Sequence, residues 1–177
     1  MKRLVLCPGC GAVIPGHITE TECSRVKKLF PSTLHWNHVG CSDGFTMDAD
    51  EITILMALSI RQPWAWMIVE GFKKIENRNK LKGFRGPFLV HAPHSFDAAG
   101  YDWILRNAVR LGLEDVEIPG PLRYQHGGIV GIGEIVDCVT RSSDPWFSGP
   151  NGLVIENAKR IPFIPTPGKL SFFYPKI

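Results

Sequence analysis

The chain reads as an α+β protein, a small β-barrel with two flanking helices, preceded by a short cysteine-rich segment. Short apolar runs that read as strands recur through residues 54–175, the β-branched and aromatic run at 86–92 bounded by Gly and Pro. Only two stretches, 63–71 and 96–113, have helical character. Cys7, Cys10, Cys23 and Cys41 crowd into the first fifty residues, which otherwise offer little core. Several strands with so few helices fit an α+β layer arrangement built on a barrel.

Composition narrows the function classes. A length of 177 residues suits one domain with a small appendage. Apolar residues make up 44%, too many for a disordered chain. Gly 18 and Pro 14 exceed average usage, in keeping with short strands and many turns. A net charge of only +3 excludes a broad polycationic surface, so nucleic-acid binding has to come from a local cleft. No apolar run reaches the length of a membrane helix, and the start MKRLVLC is too short in apolar residues for a secretory signal. A cytoplasmic protein without a membrane partner is expected. Cysteines in that setting argue for metal or free thiols rather than disulfides.

Residues 1–50 form the first element. Cys7-Pro-Gly-Cys10 and His38-Val-Gly-Cys41 have equal spans and together supply four ligands, the closed Cys₃His set of a structural zinc. Cys23 and His35 are alternatives to His38. So small a segment needs a staple to fold, and the pattern resembles a zinc ribbon. No carboxylate follows in the H-x-E order of zinc deaminases. The polar stretch 42–51 reads as a linker, which puts a boundary near residue 51 and the second domain at 51–177.

The second domain opens with an apolar strand at 54–60 and a helix at 63–71, which Gly71 ends in a left-handed conformation. Lys73, Glu76 and Arg78 follow within six residues. A strand entered at Ile75 sets Glu76 and Arg78 on one face, with Ile75 and Asn77 on the other. An exposed ion pair there contributes little. Residues 86–92 form a buried strand. The second helix starts at Asp97 as N-cap, carries Trp103, Ile104, Ala108 and Leu111 near one stripe, and stops at Gly112. A Pro/Gly-punctuated loop covers 114–128. Residues 128–140 are the clearest strand, with Gly131 and Gly133 admitting a close neighbour and Cys138 as buried packing. Glu134 on this strand, if turned inward, needs Lys73 or Arg78 as partner. A turn-rich loop (141–152) and two closing strands, in GLVIENAKRIP and KLSFFY, complete the chain.

The run ALSIRQPWAWMIVEGFKKIENR resembles the opening of the ASCH domain family, whose hallmark is Gly-x-Lys-x-x-Glu-x-Arg. Gly71, Lys73, Glu76 and Arg78 occupy all four positions. Segments 84–97 and 127–165 extend the resemblance to about residues 54–175. It implies the barrel of PUA-like modules, which often bind RNA, with the motif lining a pocket and Gln62 and Trp64 near its rim. Some members cleave the amide of acetylated cytidine with a Thr three residues after the motif Lys; here Glu76 stands in that place. Others are reported as ribonucleases that use the Lys.

The chemistry of these residues suits a nucleotide. Arg78 offers a planar fork to phosphate or a base edge, Lys73 a cation, Trp64 or Trp66 a stacking surface, and Glu76 an acceptor for an exocyclic amine. Each tryptophan alone reads equally as core. His91 and His94 have a metal-like i, i+3 spacing but no neighbouring ligand cluster, and read as a strand-end pair with His91 toward the cleft. Three readings follow. The favoured one is a non-catalytic binder of RNA, single-stranded nucleic acid or a modified nucleotide, with Lys73, Glu76, Arg78, Gln62, Trp64 and Glu134 at the site. A small hydrolase using Lys73 and Glu76 is the second. The third is an adaptor docking a protein partner through residues 1–50.

Overall fold

The structure, a computed structural model, describes residues 55–80 and 83–175, together with the backbone of four short strands between residues 3 and 47. Two compact units divide the chain, Met1–Leu55 with Tyr174–Ile177, and Met56–Phe173. In the first, β1 (Arg3–Leu6) pairs antiparallel with β2 (Val13–Ile18). Likewise β3 (Leu34–Trp36) pairs with β4 (Phe45–Met47). Cys7, Cys10, Cys23, His38 and Cys41 lie outside the described residues, and the side chain of His35 likewise.

The second unit is a six-stranded mixed sheet. Its elements are β5 (Met56–Ser59), α1 (Trp64–Val69), β6 (Ile75–Arg78), β7 (Gly86–Ala92), α2 (Ala98–Arg106), β8 (Gly128–Val139), β9 (Asn151–Pro165) and β10 (Phe172–Phe173). The strand order is β10-β5-β7-β8-β9-β6. Only β5 and β7 run parallel, in register Met56↔Phe88 to Ser59↔His91. The β8–β9 hairpin carries three register shifts, each of which bends a strand and raises its twist. That curvature brings the outer strand β6 round toward β5. Among the described residues no backbone ladder joins the outer strands β6 and β10, so the sheet is a half-barrel where the sequence suggests a barrel. A side chain spans the gap instead: Arg78 Nη2 donates to the carbonyl oxygen of Ser59 at 2.9 Å.

Helix α1 sits between two apolar clusters. Ala65, Ile68 and Val69 pack with Leu58, Phe88 and Leu153, while Met67 packs with Ile104, Leu113 and Trp146. A helix this short has little intrinsic stability, so burial on both sides holds it. Gly131 makes the seat possible, since a Cβ there would strike Val69 Cγ1 and lie within 2.6 Å of the Lys159 carbonyl. Gly71 ends the turn at φ +80°, the left-handed conformation expected of it. Trp64, the first residue of α1, packs against both clusters.

The second helix is shorter than its sequence pattern suggests. It ends at Arg106, and Val109–Leu111 continues as a 3-10 turn closed by Gly112 at φ +67°. The Asn107 side chain bonds the Trp103 carbonyl at 2.8 Å, a local competition that unwinds the last turn. At the other end Asp97 caps as expected, accepting from the Gly100 N–H at 3.0 Å. Cys138 differs from expectation. It is half-buried rather than fully packed, with Arg85 Nη1 2.7 Å from its sulfur.

Asp97 also accepts from Trp64 Nε1 at 3.0 Å and from Arg61 at 3.2 Å. The indole bond is the main reason its carboxyl is held below the usual carboxylate range; burial opposes, and Gly100 and Arg61 add to the effect. A carboxyl depressed on folding stabilises the fold above its unfolded pKa and loses that contribution as pH falls. Asp97→Asn should therefore flatten the acid limb of stability below about pH 4, read from urea midpoints between pH 3 and 6. An unchanged acid limb would show that the indole bond does not form.

Candidate functional site

An open cleft of about 1460 Å³ runs along the gap between β5 and β6. Its walls come from β5, α1, β6, the end of β7, helix α2 and the loops at 145–148 and 165–171. Lys73, Glu76, Arg78 and Trp64, marked out by the sequence, all line it.

Their geometry is that of a closed ion network. Lys73 is 3% exposed. Its Nζ donates to Glu76 Oε2 at 2.8 Å and also to the Ile75 carbonyl. The ammonium lies 5.8 Å from the Trp64 ring centroid, within cation–π range. Glu76 gives its other oxygen, Oε1, to Arg78 Nη2 at 3.0 Å. Two adjacent side chains on one face of β6 thus pair as strand periodicity requires. Each carboxylate oxygen faces a cation, so Glu76 holds the network together and is not a free acceptor.

Asn77, on the opposite face of β6, has its own task. Its Nδ2 donates to the Trp146 carbonyl at 2.8 Å and its Oδ1 accepts from the Ser148 N–H at 2.9 Å. That pins the 145–148 loop against the strand and fixes Trp146. Trp64, Trp103 and Trp146 then form a mutually packed wall, with ring centroids 6.2–6.5 Å apart. All three line the cleft.

Two residues expected at the site lie elsewhere. Gln62 is 2% exposed and absent from the cleft wall. Its amide donates to the Gln125 carbonyl at 3.0 Å and accepts from the Trp66 N–H at 2.9 Å, which ties the start of α1 to a distant loop. Glu134 does not turn toward Lys73 or Arg78. It accepts from Asn157 at 3.0 Å, and an amide partner at a half-exposed position removes the need for a cation. Trp66 packs away from the cleft, against Phe72 and Tyr124.

Other wall residues gave little sequence signal. Arg61, Arg110 and Lys169 join Lys73 and Arg78, so five cations face one carboxylate, Glu76. Arg61 shares Asp97; among the described residues no ion pair holds Arg110 or Lys169. His91 is 1% exposed. Burial pushes its imidazole below the ordinary histidine value, partly opposed by the Thr166 carbonyl and reinforced by nearby His94. The strap 165–171 crosses His91 closely: a Cβ at Gly168 would sit 2.9 Å from Nδ1 and 3.0 Å from Nε2. Its Pro-Thr-Pro-Gly sequence advertises a turn, not a cleft wall.

A curved α+β sheet with an internal Lys/Glu/Arg network at the seam places the second unit among PUA-like barrel modules. The ASCH domain model matches residues 58–148, half of the chain, and the chain belongs to the ASCH domain family. It is similar to human activating signal cointegrator 1, with 29% identity over 84 residues, 48% of this chain. The mouse protein of that name matches to the same extent. The chain spans only 14% of the length of these relatives. No helix among the described residues is long and apolar enough to cross a membrane.

Proposed function

We propose that the cleft binds a short single-stranded RNA segment or a modified nucleotide within one. The observation that carries this reading is the pairing of a tryptophan wall with five cations in one cleft, an excess of three positive charges once Glu76 and the Arg61 partner Asp97 are set against them. The whole chain has only +3, so the cleft concentrates the charge that the composition denies to the surface at large. A volume of about 1460 Å³ exceeds the roughly 300–1,000 Å³ of small-ligand sites, which favours several linked nucleotides over one free one. Every base has a face that can stack on an indole.

Within this reading Lys73, Glu76 and Arg78 build the cleft more than they touch its occupant. Lys73 is too deeply engaged to serve as a mobile cation. That also disfavours the hydrolase reading in which Lys73 and Glu76 do chemistry. Phosphate contact falls instead to Arg61, Arg110 and Lys169, joined by the free edge of Arg78. A zinc held by Cys7, Cys10, His38 and Cys41, and a protein contact through residues 1–50, complete the proposal.

Fluorescence anisotropy with a labelled ten-nucleotide RNA tests it. Contact to about three phosphates gives a slope of log K against log salt near −2, at about −0.7 per phosphate for single strands. Arg110→Ala should weaken binding and make the slope shallower by about 0.7. Binding that survives Arg61→Ala/Arg110→Ala/Lys169→Ala with an unaltered slope would place the RNA elsewhere.

A further inference from the structure

Ser59 and His91 are register partners at the ends of β5 and β7. Both line the cleft, the serine half-exposed and the histidine buried. Ser59 Oγ lies 3.1 Å from His91 Nδ1, and His91 Nε2 lies 2.9 Å from the Thr166 carbonyl oxygen. A carbonyl only accepts, so Nε2 carries the ring proton. Burial favours the neutral imidazole. Nδ1 therefore presents a bare lone pair to the serine hydroxyl. A nucleophile, a base within hydrogen-bond reach and a third group that orients the base are the parts of an activated serine.

We propose that Ser59 is a nucleophile activated by His91, acting on a carboxylic ester carried by an anionic, ring-bearing ligand in the cleft. The Ser59 oxygen attacks the ester carbonyl carbon and its proton passes to His91 Nδ1. The C–O bond to the alcohol breaks, and His91 returns the proton to the departing oxygen. Water, deprotonated by His91, then cleaves the acyl-serine, releasing the acid and restoring the hydroxyl. At rest the hydroxyl has a second acceptor, the Lys169 carbonyl at 2.7 Å. Turning it from the strap to Nδ1 needs only rotation about one bond.

The choice of an anionic, aromatic ligand rests on the reading of the cleft given above; the Ser59–His91 pair itself does not. A fluorophosphonate probe separates the two, because Ser59 attacks phosphorus and fluoride leaves without any RNA present. Intact-mass analysis of the full chain, followed by peptide mapping, should find one adduct on Ser59. Its formation should be at least about 100-fold faster than on the urea-unfolded chain, the lower range of general-base assistance. Ser59→Ala should abolish the adduct, and His91→Gln should slow it about 100-fold or more. If His91→Gln fails to fold, the ratio of folded to unfolded labelling decides. Labelling of Ser59 no faster than in the unfolded chain, or undiminished in folded His91→Gln, overturns the proposal. Adduct formation in a protein that does not bind RNA would leave the pair standing and remove the nucleic-acid reading. RNA binding without an adduct would do the reverse.

Discussion

Glu76→Ala should cost the domain about 3–5 kcal/mol of stability, the usual penalty for breaking a buried ion pair from one side. The carboxylate takes Lys73 on one oxygen and Arg78 on the other, at 2.8 and 3.0 Å. Without it an ammonium only 3% exposed keeps a backbone carbonyl and an indole face, with a guanidinium beside it. Neither replaces a counter-ion. Against a total of about 5–15 kcal/mol for ordinary domains, the loss is a large share. Lys73→Met should cost much less, because it removes the buried charge itself and leaves Glu76 with Arg78. Glu76→Gln should fall between them, keeping an acceptor for one cation while losing the charge that holds both. Urea midpoints at constant m value give the order. A Glu76→Ala cost below about 1 kcal/mol would mean a solvated network, and Lys73 and Arg78 would then be available to a ligand.

Local signals in the sequence carried far. Gly71 ending α1, Asp97 capping α2 and the shared face of Glu76 and Arg78 each depend on a few neighbouring residues. Backbone conformation, cap chemistry and strand period settle them without the rest of the fold. The ASCH hallmark added the location of the cleft.

Contacts across long stretches of chain were not legible. Lys73 is buried with its ammonium on Glu76 and the Ile75 carbonyl, beside the Trp64 ring. Gln62 is buried because its amide meets Gln125, 63 positions away. Trp146 reaches the wall through Asn77, 69 positions earlier. Strand alternation places Asn77 opposite Glu76, but cannot say that its partner is a loop backbone. The open seam of the barrel was hidden for the same reason: its closing bond joins an arginine side chain to a carbonyl on a strand that is not its ladder neighbour. The strap over His91 reads in sequence as an ordinary proline-rich turn.

Gly100→Ala should destabilise the domain and weaken RNA binding together, although alanine normally favours a helix interior by about 1 kcal/mol over glycine. Gly100 lies in α2 directly against Trp64. A Cβ there would strike Trp64 Cζ2, sit 2.8 Å from Cε2 and come within 3.0 Å of Asp97 Cγ. The indole has no room to yield. Its N–H bonds Asp97 at 3.0 Å, Trp103 and Trp146 flank it, and the Lys73 ammonium lies against it. Overpacking of this kind costs about 1–3 kcal/mol, enough to reverse the helix preference. Relief requires the Trp64 ring to rotate, which breaks its bond to the N-cap of α2 and spoils the stacking wall. Loss of one base stack, at about 1–3 kcal/mol, corresponds to a roughly 5- to 150-fold weaker complex. Gly120→Ala is the matched control, since nothing lies within 4 Å of a Cβ there and its φ of −64° suits alanine. Anisotropy titrations and urea unfolding of both variants decide the matter: equal behaviour of the two would show that Trp64 is not confined and does not form the wall.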